Sequence, residues 1–209
     1  MAEYELEEEL RNAWQRLVET RDEPESPLSL PPEQRMALSP PALFAELEEV
    51  REAWHELRGR VNEDLSKRYI NASWTLKELL AHLASWAKEF RMEVETVSRG
   101  ESFDYSIPFA MTVFGPNQWN EEQVRSRAAS SLSEIFDELE GETERLEEVL
   151  LTLTHEALYG SASFPFAPTG EPAERWRGTN AFIIAGKCLH DRHHIAQIRD
   201  RLDAWQAVK

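Results

Sequence analysis

The sequence predicts an all-α protein: a four-helix bundle with an extra N-terminal helix and two long irregular loops. Three observations predict it. Apolar residues recur at three-to-four-residue spacing through four long stretches, which is the periodicity of a one-sided helix. No alternation of period two lasts long enough to make a sheet. Capping residues, prolines and glycines stand where such helices begin and end.

Residues 3–21 read as a short amphipathic helix, with Leu6, Leu10, Trp14 and Leu17 or Val18 along one side. Pro24, Pro27, Pro31 and Pro32 then forbid a continuous helix and mark a linker. Residues 1–38 are therefore expected to be an appendage, its apolar stripe packing on its own domain or on a second subunit. Residues 39–209 are expected to be the bundle.

Ser39 as a cap and Pro40 at the first helical position open a run expected to reach Leu65, with Leu43, Leu47, Val50, Trp54, Leu57 and Val61 as its buried stripe. His55 lies beside that stripe, as a boundary or surface residue. Thr75 and Glu78 form a capping box that starts the second long helix, and Gly100 suits its end. Residues 101–118, rich in aromatic side chains, are longer than a turn requires and read as a loop packed over the bundle end or as the wall of a pocket.

Asn120 reads as a cap opening a third helix that continues to about Leu153, weakened locally at Gly141 and followed by His155. A second irregular stretch, Leu158 to Gly178, leads into the last helix, expected from Thr179 to about Ala207. This stretch is placed to cover the mouth of any site on that helix.

Composition narrows the function. A hydrophobic share of 41% with seven tryptophans supports a full core, and no apolar run approaches the ~18 residues of a membrane span. The acidic start lacks the basic, apolar character of a secretory signal, and a single cysteine, Cys188, permits no internal disulfide, so a cytoplasmic protein is expected. A net charge of -16 repels phosphate backbones, and no basic cluster with interleaved aromatics is present, which argues against nucleic acid as a partner. A small-molecule substrate is expected instead.

The chemistry concentrates in His190-Asp191-Arg192-His193-His194. At ~3.6 residues per turn, His190 and His194 share a helix face with Cβ atoms ~6 Å apart, the spacing of metal ligands. On a helical projection they share a sector with Ile183, Gly186, Gln197 and Arg201, the side expected to face the other helices. Two imidazoles hold a transition metal weakly, and His82 in the second helix is the candidate third ligand of an open three-histidine site. Cys188, two residues before His190, points away from that face and is a poor candidate for ligand or nucleophile. Glu78 and Asp191 are candidates to orient the imidazoles, Gln197 and Arg201 to meet substrate, and His193 for either role.

Three stretches resemble the DinB/YfiT-like family of metal-dependent four-helix bundles: Trp74 to Trp86, with Leu76-Lys77-Glu78-Leu79-Leu80-Ala81-His82 at its centre; Trp119-Asn120; and His190 to Ile198. The resemblance covers about residues 41–205. It implies that His82, His190 and His194 bind one divalent metal, Zn²⁺ or Ni²⁺, and that His193 is a neighbouring histidine outside the ligand set. It also implies a dimer, and a reaction like that of relatives that join low-molecular-weight thiols to electrophiles, isomerise maleylpyruvate or resemble hydrolases. The expected function is accordingly a metal-dependent thiol transferase or related hydrolase with a thiol cosubstrate. Rival readings are a non-catalytic protein that sequesters a small molecule and a bundle whose metal is purely structural.

Overall fold

The computed structural model describes residues 39–101, 115–159, 162–163, 177–178 and 180–207. The helix and linker expected over residues 1–38, and most of both irregular stretches, lie outside the described residues. Seven helices are described: α1 Pro40–Arg60, α2 Glu63–Ser66, α3 Leu76–Ser98, α4 Gly115–Ser126, α5 Leu132–Thr152, α6 His155–Tyr159 and α7 Asn180–Ala207. A two-residue antiparallel ribbon, β1 Ala162–Ser163 against β2 Arg177–Gly178, ties the two ends of the stretch before α7. Among the described residues no helix is long and apolar enough to cross a membrane.

The helix ends show which local signals won. Ser39 sits extended at the start of α1 with proline following, but makes no side-chain cap bond. The run expected to reach Leu65 stops at Arg60, because Asn62 caps a separate turn, its Oδ1 accepting from the amides of Asp64 and Leu65 at 3.1 and 3.0 Å. Thr75 and Glu78 do form the capping box of α3, and Gly100 ends that helix with φ 73°, a conformation that favours glycine.

The single helix expected from Asn120 to Leu153 is two helices. The signal was present in Ser131-Leu132-Ser133-Glu134, a second capping box, which starts α5 afresh after a break at 127–131. Asn120 therefore lies inside α4 and caps nothing. Each box satisfies amides that the first turn leaves unpaired, so Thr75→Ala and Ser131→Ala are each expected to cost about 1 kcal/mol. Urea denaturation with no shift in midpoint for either variant would contradict this.

Ion pairs give the register of the long helices. Arg51 with Glu147, and Arg58 with Asp137 and Glu140, run α1 antiparallel to α5. Arg199 with Glu56, and Arg60 with Asp203, run α1 parallel to α7. Lys77 reaches the carbonyl of Ala128 while Arg91 pairs with Glu142, so α3 and α5 advance together. The packing is a ring in which α1 and α3 each contact both α5 and α7, leaving α1 and α3 on one diagonal.

This topology explains the long connection after α3. Parallel neighbours require the chain to travel back along the bundle, roughly 34 Å for a 23-residue helix at ~1.5 Å per residue. A short turn cannot do that, and α4 forms part of the return path, lying against α3.

The core is built from the expected stripes. Leu43, Leu47, Val50, Trp54 and Leu57 of α1 are buried, as are Leu79, Leu80 and Leu83 of α3 and Ile135, Phe136, Leu139 and Leu146 of α5. On α7 the buried stripe runs through Ile184, Cys188, Asp191, Ile195, Ile198 and Leu202; of the sector expected to face inward, Ile183 is buried, Gly186, His190, His194 and Gln197 are half-buried, and Arg201 is exposed. The histidine pair lies ~100° round the helix from this stripe, half-buried at its edge, and Arg201 is exposed. A pair on the seam between helices can be packed on one side and reached from the other.

Candidate metal centre

His82 comes from the buried face of α3, while His190 and His194 come from the flank of α7 that α3 covers. The His82 ring centroid lies 5.4 Å from that of His190 and 5.6 Å from that of His194, and the latter two are 4.8 Å apart. One nitrogen from each ring can be chosen so that all three lie within 4.8 Å of one another. Bonds of ~2.0–2.1 Å to a tetrahedral ion place its donors roughly 3.3 Å apart, so small side-chain rotations would bring these rings to a common ion.

The donor chemistry fits such an ion. His82 is only 5% exposed, and its Nδ1 is buried with no hydrogen-bond partner among the described residues, a costly arrangement for a polar atom. The Nδ1 atoms of the other two rings are committed, that of His190 to Asp191 Oδ1 at 3.3 Å and that of His194 to Gln197 Oε1 at 3.1 Å. Their Nε2 atoms remain as the donors.

Electrostatics keep the cluster ready to donate. Burial, followed by the charges of His190 and His194, pushes the pKa of His82 well below its ordinary 6.5. Burial, with His190 next, pushes His194 down to about 3. Both rings are neutral at neutral pH, as metal ligands must be.

The same shifts predict a pH dependence. Above pH 6.5 these histidines are neutral in the folded and unfolded chain alike. Below it the unfolded chain takes up protons that the folded chain refuses, so metal-free stability falls with pH. Between pH 6.5 and 5 the loss is about 1–2 kcal/mol for His194. Urea midpoints at the two pH values should diverge by less in His194→Gln, and equal divergence would contradict the assignment.

Aromatic side chains wall the cluster. Trp74 lies 4.7 Å from the His82 ring, and Trp86 lies 6.4 Å from His82 and 6.3 Å from His190. Phe90 is 6.3 Å from His190, and Trp119 of α4 packs on Trp86 at 4.8 Å. Asn120 accepts a hydrogen bond from Trp86 Nε1 at 2.9 Å and also acts on the His82 ring, raising its proton affinity against the stronger effect of burial. The wall expected from residues 101–118 falls largely outside the described residues; the wall that is described comes from Trp74 just before α3, from α3 itself and from α4.

Other expected roles are redistributed. Glu78 is committed to its cap, Oε2 accepting from Thr75 N and Oγ1 at 2.7 and 2.8 Å. Gln197, a candidate to meet substrate, places its Oε1 3.1 Å from His194 Nδ1. His193 lies 5.1 Å from the His194 ring, outside the cluster of three. Arg201 is exposed two turns beyond His194. His55 and His155 are also exposed and lie outside the cluster. Cys188 is 1% exposed, and burial pushes its thiol up to about 12, so it is inert as a nucleophile.

Asp191 does contact His190, within a network not anticipated from the sequence. Lys187 and Asp191, both fully buried on α7, form an ion pair at 2.7 Å. Lys187 Nζ also donates to Thr143 Oγ1 of α5 at 3.2 Å, and Trp54 Nε1 of α1 donates to Asp191 Oδ2 at 3.4 Å. Burial alone would raise the Asp191 carboxyl, but Lys187 and then His190 outweigh it and hold it at about 2. The spacing of Lys187 and Asp191 was readable as an i,i+4 pair; its burial was not.

A family model described as the DinB superfamily matches residues 46–198. Among solved structures, the fold is similar to a crystal structure of a mycothiol-dependent maleylpyruvate isomerase carrying a histidine-to-alanine mutation. The TM-score is 0.58 at 11% sequence identity. The alignment covers 83% of this chain and 62% of that one, so the chain spans less than two thirds of the isomerase's length. At that identity the likeness is one of fold. No curated protein matches in sequence.

Proposed function

The chain belongs to the DinB superfamily, and from that premise we propose that it is a divalent-metal-dependent enzyme joining a low-molecular-weight thiol to an electrophile. The observation that carries the reading is the convergence of three imidazole nitrogens beside an aromatic wall, in a protein whose own thiol is buried and inert. His82, His190 and His194 would hold Zn²⁺ or Ni²⁺ and leave a position open. When bound, the ion supplies Lewis acidity, favouring the thiolate form of a thiol or lowering the pKa of a water.

The residues of the chain do the rest. Neutral His82 and His194 offer lone pairs without first losing protons. Trp74, Trp86 and Phe90 exclude water from one side of the cluster and offer flat apolar faces to the electrophile. Cys188 lies on the buried stripe of α7, so the reacting sulfur must enter with a cosubstrate.

The test is turnover of mycothiol, bacillithiol and simpler thiols with monochlorobimane, before and after metal removal. Metal-dependent turnover, unchanged in Cys188→Ser, is expected. Stoichiometric metal without turnover of any thiol would favour hydrolysis or sequestration. A melting temperature that collapses on chelation, again without turnover, would favour a structural metal.

A further inference from the structure

The two imidazoles of α7 are held in different ways. His194 faces Gln197, whose amide offers an acceptor oxygen or, turned over, a donor nitrogen, so that contact does not dictate which ring nitrogen carries the proton. His190 faces a carboxylate whose other oxygen is already occupied by two donors, Lys187 Nζ at 2.7 Å and Trp54 Nε1 at 3.4 Å. An ion-paired carboxylate can only accept. The ring nitrogen facing it must therefore be the one bearing hydrogen.

We propose that Lys187, with Thr143 and Trp54, acts through Asp191 as a set of positioning residues that locks His190 in its Nδ1–H tautomer and presents a bare Nε2 to His82 and His194. Three of the four long helices contribute: Trp54 from α1, Thr143 from α5, and Lys187 and Asp191 from α7. Fixing one ring from the core sets the point on which the other two converge. The consequence for metal affinity rests on the proposed metal site, whereas the tautomer is a property of the metal-free fold.

The first measurement needs no substitution. Long-range ¹H–¹⁵N correlation spectra of the metal-free protein are expected to show His190 protonated at Nδ1, and protonation at Nε2 would overturn the assignment. The double variant Lys187→Met/Asp191→Leu removes both charges together and is expected to lose the single tautomer and to bind Zn²⁺ about 10–100-fold more weakly. A spectrum unchanged in the double variant would also overturn it.

Leu202→Ala, which loosens the same helix far from the cluster, is expected to lower stability while leaving tautomer and affinity alone. That separates positioning from general support of the fold. If the double variant does not fold, the wild-type spectrum alone decides. A wild-type protein that shows the Nδ1–H tautomer yet binds no Zn²⁺ would refute the metal site and leave the positioning intact.

Discussion

His190→Ala is expected to abolish stoichiometric binding of Zn²⁺ or Ni²⁺ while leaving the helical circular-dichroism signal close to wild type. The two halves of this expectation have separate physical grounds. Three imidazoles are the protein donors of the proposed site among the described residues, and two cannot hold an open-coordinate ion tightly. If the three share a zinc binding energy near the low end of the ~10–16 kcal/mol range, losing one weakens affinity by ~10²–10³-fold.

The helix, by contrast, is held by its own stripe. Ile184, Cys188, Ile195, Ile198 and Leu202 pack α7 into the bundle, while His190 sits at the edge of that stripe. His193→Ala should change neither quantity, since His193 lies outside the cluster. Elemental analysis of the purified variants and isothermal titration with Zn²⁺ would settle it. Full occupancy in His190→Ala would remove the site as drawn.

Lys187→Met is expected to destabilise the fold by about 3–5 kcal/mol, a large share of a domain's stability. Lys187 and Asp191 are each 0% exposed, so methionine at 187 would strand a carboxylate in the core beside the indole of Trp54. Replacing both charges is a different experiment. Lys187→Met/Asp191→Leu removes the attraction but also the cost of burying two ions, and such exchanges are often neutral or stabilising. The double variant should therefore recover most of the stability lost by the single one.

Urea denaturation at neutral pH provides the measurement. A single variant that lost less than about 1 kcal/mol would mean that the pair is not the electrostatic unit its 2.7 Å separation suggests. A stable double variant that binds metal poorly would show that the buried pair serves the site rather than the fold.

Much of the bundle was legible because its signals are local. The stripe from Leu43 to Leu57 and the Thr75/Glu78 box lie within a few turns of the residues they organise, so spacing alone exposes them. The Ser131/Glu134 box is equally local, but it lies within a continuous apolar period that masks the division of the run into two helices. The Asn62 cap is masked in the same way, by the apolar period that runs on through Val61 and Leu65.

The site divides along the same line. A period of ~3.6 fixes His190 and His194 on one face wherever α7 goes, so spacing alone makes them a pair. Local patterns likewise mark the helices that carry it and, through three matching stretches, the family. Packing of the four long helices is what lays α3 against that flank with His82 beside the pair, turns Gln197 to His194, and closes Lys187 and Asp191 over His190 from the core. The physical reason is that periodicity is a property of one chain segment, whereas which edge of a helix is buried, and against what, depends on how four segments pack together.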